Sequence, residues 1–276
     1  MSGVERDELG SGETEACALK STFTASATQP REAQNDVAGQ RDALALLAAG
    51  EIELLGQLVD SSNETFLVEL GARDALGCSG RAIYKPELGE APLHDFPPGL
   101  YRRERAAYLL SEALGWGIVP PTVIREDAPF GVGSLQWFVD SSDSEGWEHY
   151  FTLYEDPALH DDFRRIAVFD FLTNNTDRKS GHVLRGSDGK IWAIDHGLCF
   201  SATFKLRTVI WDFAGEPIAA ELLDAVGNLI DEVPGEVAEL LSGPEVRAIQ
   251  GRARYLFGAR EFPIDVTGRR FPWPLV

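Results

Sequence analysis

Positive charge is scarce in this chain. Of its 276 residues only 25 are Lys or Arg, against 44 Asp or Glu, which gives a formal net charge of -19. Diffuse binding to nucleic acid or to anionic lipid needs clustered cations that neutralise phosphates. No nucleic-acid partner and no stable membrane association are therefore expected, and any phosphate chemistry has to be local. Long apolar runs are absent too: no stretch of about 18 residues could cross a bilayer. Cysteine is rare, with Cys17, Cys78 and Cys199 far apart and in no CxxC spacing. That excludes an obvious zinc site or disulfide framework and suits a reducing, cytoplasmic setting. The first fifteen residues carry five acids and no apolar h-region, so neither a secretory nor a mitochondrial targeting signal is expected.

What is present is an ordinary hydrophobic share of 44%, enough for a real core. Residues 1–38 are rich in Ser, Thr, Gly, Glu and Gln without apolar periodicity and read as a disordered tail. A short helix is predicted from Arg41 to Ala49, ended by Gly50. Two apolar runs flanking the turn formers Asp60, Ser61, Ser62 and Asn63 predict a β-hairpin. Residues 80–86 read as a third strand closed by Pro86, and Tyr101–Leu114 as an amphipathic helix stopped by Gly115. The stretches IVPPTVIRE and VGSLQWFV add two strands. At Asp140 the composition shifts: eight acids and no Lys or Arg lie in the stretch from Asp140 to Asp162. A buried helix (DDFRRIAVFDFLTNN), a polar loop, a short strand over 191–195 and a helical final third follow. The pattern is α+β with two lobes, a sheet-rich one over 39–139 and a mainly helical one over 140–276.

Chemistry concentrates in the loop NNTDRKSGH (174–182) and in IWAIDHG (191–197). One carboxylate at a helix exit and another at a strand exit allow two loops to converge on one point, as metal-bound phosphate chemistry requires. Asp177 is placed to orient or deprotonate a hydroxyl, Asp195 to hold a divalent cation, and His182 to be a second ligand. Kinase catalytic loops place a metal-binding Asn five residues after the catalytic Asp; here that offset falls on His182. Each residue also has an ordinary reading, as a turn or cap carboxylate, or a loop histidine facing solvent, the expected state of His196 as well.

The stretches IYKP (83–86), AAYLLSEALGWGIVPPTVI (106–124), VGSLQWFVD (132–140), RIAVFDFLTNNTDR (165–178) and AIDHGLCF (193–200) occur in an order that resembles the phosphatidylinositol 3- and 4-kinase superfamily. Type II phosphatidylinositol 4-kinases are the nearest in pattern, over roughly residues 50–215. The resemblance implies a bilobal protein-kinase-like fold and an ATP-dependent phosphotransferase using ATP and a divalent metal, magnesium or manganese. It implies that Lys85 contacts the nucleotide phosphates and Glu104 pairs with it, that Ser61, Ser62 and Asn63 belong to a phosphate loop, and that Gln136, Trp137, Phe138 and Val139 form a hinge for adenine. It further implies Asp177 as the catalytic acid and Asp195 as the metal ligand, with Lys205 and Arg207 in a basic substrate segment. Only five of the basic residues are lysine, and Lys85 interrupts an apolar strand; its ordinary reading is an edge-strand residue reaching solvent. Glu104 could equally be an exposed helix acid, and Lys205 and Arg207 ordinary solvated charge. Two departures stand out. His182 replaces the family's Asn, favouring manganese and predicting loss of metal as pH falls through about 6.5. The Cys-rich insertion of membrane-bound type II enzymes is replaced by GEAPLHDFPPGLY, so the expected acceptor is a hydroxyl of a protein or soluble molecule. A nucleotide-binding pseudokinase, a lipid kinase and an interaction domain built on the acidic 140–162 stretch are the alternatives.

Overall fold

The computed structural model describes residues 34–58, 63–71, 79–141 and 148–276. Strands β1 (Glu51–Gln57), β2 (Phe66–Gly71), β3 (Ser79–Pro86), β4 (Thr122–Arg125) and β5 (Gly133–Trp137) form one antiparallel sheet in the order β1-β2-β3-β5-β4. Period-two alternation on β3 assigns its faces. Ala82 and Tyr84 are fully buried with Val68, Leu70 and Leu135 against Leu47 of helix α1 (Gln34–Ala49). Ile83 and Lys85 face the other way, opposite Gln136 and Ser134 of β5. Lys85 is thus an inward-facing residue of a strand flanked by β2 and β5, not an edge lysine.

Helix α2 (Leu100–Ala113) enters between β3 and β4 and stops where expected. Gly115 takes φ +69°, a left-handed conformation open to glycine, and its N–H returns to the Glu112 carbonyl at 2.9 Å. Beyond β5 come α3 (Tyr150–Leu153), α4 (His160–Thr173), the antiparallel pair β6 (Val183–Arg185) and β7 (Ile191–Ala193), then α5 (Ala220–Asn228), α6 (Gly235–Ala238) and α7 (Gly243–Ala259). Their apolar faces and the buried side of α2 share a second, larger core that includes Phe163, Phe169, Phe200, Val226 and Leu256. The result is a two-lobed α+β fold with a cleft between the sheet and the helical part.

Several elements differ from the sequence reading. Helix α1 begins at Gln34, inside the stretch read as tail, while residues 1–33 lie outside the described ones. The pairing of β1 with β2 matches the predicted hairpin, but Ser61 and Ser62 at its turn lie outside the described residues, as does 142–147 of the acidic stretch. Strand β4 keeps only four residues, because the two prolines before it have no N–H for the ladder.

At the far end of β5, the Trp137 ring lies across Gly80 of β3, where an added Cβ would come within 2.2 Å of the ring. Gly80→Ala should therefore destabilise the protein by about 1–3 kcal/mol through overpacking. A melting temperature unchanged by the substitution would show that Trp137 yields freely.

Candidate active site

The ammonium of Lys85 sits between two carboxylates, 2.6 Å from Glu104 Oε1 and 2.8 Å from Asp195 Oδ1. Glu104 comes from α2, and its side chain is 3% exposed, so it is no surface acid. Its Oε2 accepts the His196 N–H at 2.9 Å. Glu104 therefore fixes the lysine and the chain just beyond Asp195 together. Burial acts to deprotonate Lys85, but Asp195 and then Glu104 outweigh it and hold its pKa above the ordinary lysine value. Burial likewise acts to raise Asp195, yet Lys85 and then His182 hold this carboxyl well below the usual range. Asp195 adopts φ +59°, a conformation that costs a non-glycine residue about 1–3 kcal/mol. Bonds on either side maintain it: the Ile194 carbonyl accepts from Arg178 Nη1 at 2.6 Å, and the His196 N–H is held by Glu104.

Asp177 is delivered by α4. Acidic Asp161 and Asp162 in its first turn favour the helix start, and Asn174 ends it in the left-handed conformation at φ +53°. Asn174 Nδ2 donates to the carbonyls of Ser201 and Thr203, and its Oδ1 accepts the Lys205 N–H. Asn175 Oδ1 accepts the Asp177 N–H at 2.9 Å, and Thr176 binds the Leu198 carbonyl through its hydroxyl and its N–H. Beneath this loop the fully buried Arg178 guanidinium pairs with Asp170 at 3.0 Å and also meets the His182 carbonyl and His196 Nε2. Burial raises the pKa of Asp177, Lys179 at 3.2 Å opposes it, and the Asp195 charge adds to the rise. A raised pKa makes Asp177 a better proton acceptor.

His182 Nε2 lies 3.3 Å from Asp195 Oδ2. Its Nδ1 receives the Lys179 N–H at 3.4 Å, which leaves the imidazole proton on Nε2, directed at Asp195. Burial first, opposed by Asp195 and reinforced by Arg178, Lys85 and Lys179, pushes the His182 pKa down to about 4. The ring is consequently neutral far below pH 6.5, and the expected loss of metal through that pH does not follow from its protonation. Among the described residues no group of three or more His, Cys, Asp or Glu side chains gathers as a metal cage. That donor set still fits a magnesium-type site, which uses one or two carboxylates and completes its shell with phosphate oxygens and water.

Lys85, Asp177, Lys179, His182 and Asp195 all line one cleft of about 510 Å³, together with Ile83, Gln136, Trp137, Phe138, Val139, Leu184 and Ile194. A model of the family described as phosphatidylinositol 3- and 4-kinase matches residues 100–233. The fold is an atypical one of the phosphatidylinositol 3-/4-kinase-like kind. Protein Rv2133c of Mycobacterium tuberculosis is 42% identical over 270 residues, covering 84% of this chain and 95% of that one. Phosphatidylinositol 4-kinase gamma 4 of Oryza sativa subsp. japonica is 30% identical over 199 residues, 57% of this chain but only 34% of the plant protein. Among solved structures, the Golgi casein kinase with Mn/ADP bound superimposes with a TM-score of 0.52 at 14% identity, over 87% of this chain and 81% of that one. That likeness shows an atypical kinase fold.

The cleft gathers most of the residues expected from the sequence, but not all. Asn63 lies near Lys85, yet its Oδ1 accepts the Ala91 N–H at 2.8 Å. Gln136 lines the cleft while donating to Thr122 Oγ1 at 2.9 Å. Lys205 and Arg207 share an outer face, with Leu206 and Thr208 buried between and beyond them. Lys205 is already paired with Asp95 at 2.9 Å. His196, expected in solvent, is fully buried against Phe169; burial and then Arg178 hold its pKa well below the ordinary value. Asp170, Arg178 and Thr208 form the supporting network that sequence reasoning missed. The available signal was an aspartate between two phenylalanines in an otherwise apolar helix.

Depressed histidine pKa values have a stability consequence with a definite sign. The unfolded chain takes up a proton at each histidine near pH 6.5, whereas native His182 does so only near 4. Between those values the unfolded state binds more protons, so stability falls as pH falls, by up to about 1.4 kcal/mol per pH unit for each such histidine. His182→Asn should flatten the acid slope of the melting temperature. An identical slope in the variant would show that His182 titrates normally.

Proposed function

We propose that this chain is an ATP-dependent phosphotransferase that moves the γ-phosphoryl group to a hydroxyl of a protein or soluble molecule. The observation carrying this reading is the convergence on one cleft of a carboxylate-paired lysine, a carboxylate of depressed pKa and a carboxylate of raised pKa. The Mn/ADP-bound neighbour supports the same cofactor class. Adenine would lie against Trp137, Phe138 and Val139, between the apolar side chains of Leu58 and Ile83 above and Leu184 and Ile194 below. Lys85 has three N–H donors; two face Glu104 and Asp195, and the third is left for a phosphate oxygen. Asp195 would hold the divalent ion, which neutralises charge on the transferring phosphate. His182, with its proton directed at Asp195, orients that carboxylate and is not itself a ligand.

Asp177 aligns the acceptor. The hydroxyl oxygen forms a bond to the γ-phosphorus as the bond to the β–γ bridging oxygen breaks, ADP leaves, and the hydroxyl proton passes to Asp177. Lys179 at 3.2 Å steadies that carboxylate. No helix among the described residues is long and apolar enough to cross a membrane, and Arg207 offers an exposed cation beside the loop. A non-catalytic nucleotide-binding module is the second reading, favoured by the histidine at the position where the family carries Asn.

ATP with magnesium or manganese should raise the melting temperature, a stabilisation of about 2.7 kcal/mol at a hundredfold excess over Kd. Asp177→Asn should keep that shift while losing about 10²–10⁴-fold in phosphate transfer, and Asp195→Ala should lose both. His182→Asn should alter the manganese-to-magnesium activity ratio by no more than about twofold, since an orienting residue does not choose the metal. Nucleotide binding without transfer to water or any acceptor in the intact chain would favour the non-catalytic reading.

A further inference from the structure

Residues 265–276 have no helix or strand and bury little of their apolar surface: Val266, Trp273 and Val276 are 91%, 88% and 67% exposed. Hydrophobic burial does not explain why this segment lies where it does. Its backbone does. The Leu275 carbonyl accepts the N–H of Ser180, a buried residue between Asp177 and His182, at 2.8 Å. The Arg270 carbonyl accepts both the Thr208 N–H and the Trp211 indole N–H at 3.1 Å. Thr208 in turn binds Asp170 Oδ2 at 3.0 Å, and Arg178 pairs its backbone with Arg207 and Val209 on either side. Three donors from the loops that carry Asp177 and Asp195's supports are therefore satisfied by one surface segment.

The segment is shaped for this. Asp265 accepts the Thr267 N–H and hydroxyl through Oδ1, at 3.0 and 2.6 Å, and the Arg270 N–H through Oδ2 at 2.9 Å. That turn aims the Arg270 carbonyl at Thr208, while the Arg270 guanidinium lies 4.8 Å over the Phe204 ring. We propose that residues 265–276 are a positioning strap for the phosphate-transfer loop, acting through the Arg270 and Leu275 carbonyls. This rests on the phosphotransferase reading. Without the strap, Ser180 and Thr208 would have buried N–H groups in search of partners. The 180–182 turn, with the His182 contact to Asp195, would then shift. Displacement of reacting groups by about 1 Å is enough to lose about 10²-fold in rate.

The experiment compares the full chain, a chain lacking residues 265–276, and Asp265→Ala. Deletion leaves α7 and the buried Phe262 in place, and Asp265→Ala covers the case in which deletion unfolds the protein. Amide exchange should accelerate at Ser180 and Thr208 in both variants, while KM for ATP stays within about twofold, because the strap does not touch the hinge or Lys85. Transfer at saturating ATP and manganese should fall by about 10²-fold. Adding a peptide of residues 265–276 to the deleted chain should restore part of it. Unchanged exchange at Ser180 and Thr208 would overturn the proposal, and so would faster exchange with an unchanged transfer rate. If the full chain transfers no phosphate with either metal, the phosphotransferase reading fails; protected amides in such a chain would then contradict a catalytic positioning role.

Discussion

Everything in the cleft depends on one half-buried cation held between two anions. Lys85 is carried by the sheet, Glu104 by the helix beside it, and Asp195 by the loop after β7, so a single ammonium joins three parts of the fold. In a partly dry site such a group depends on its partners, since removing one leaves a charge only partly compensated by solvent. The arrangement ties the relative placement of the two lobes to the electrostatics of the site. It also keeps the lysine charged and the aspartate ionised, the two states that phosphate and metal recognition need.

The lower loop is built on a similar economy, with each residue of Asn174, Asn175, Thr176 and Asp177 given a separate task. Asn174 ends the helix and holds the 201–205 backbone, Asn175 fixes the Asp177 N–H, and Thr176 locks onto Leu198. Arg178 then turns inward beneath them and binds Asp170, Ile194, His182 and His196. A catalytic carboxylate on a loop keeps its position only when such a shell is present. Here the upper shell of Asn174, Asn175 and Thr176 consists of short polar side chains bonded largely to backbone, which lose little rotamer freedom when ordered, while Arg178 and Asp170 form a buried ion pair beneath it.

Much of this was legible in the sequence for physical reasons that differ by element. Apolar alternation and turn formers revealed β1 to β3, and the Gly115 stop revealed the end of α2, because these are local effects. The pairing of Lys85 with Glu104 came from resemblance; no local rule joins residues nineteen apart across a strand and a helix, and the helix acid gave no sign of its 3% exposure. The offset of His182 from Asp177 points to its place beside Asp195, but no local rule shows that burial lowers its pKa to about 4 or that the Lys179 N–H reaches its Nδ1. His196 read as a solvent-facing loop residue because nothing in sequence reports that Phe169 and Arg178 enclose it. The contacts of residues 265–276 could not be read at all, since they run through backbone carbonyls, which every residue possesses.

The central claim is that Glu104 acts on the nucleotide through Lys85. A double-mutant cycle of Lys85→Met and Glu104→Gln, read as ATP affinity in the presence of manganese, tests it most directly. If Glu104 works by holding the ammonium, each single substitution weakens ATP binding and the double variant is no weaker than Lys85→Met alone. Losses that simply add would mean that the two residues act independently, and the ion pair joining the lobes would not be what organises the site.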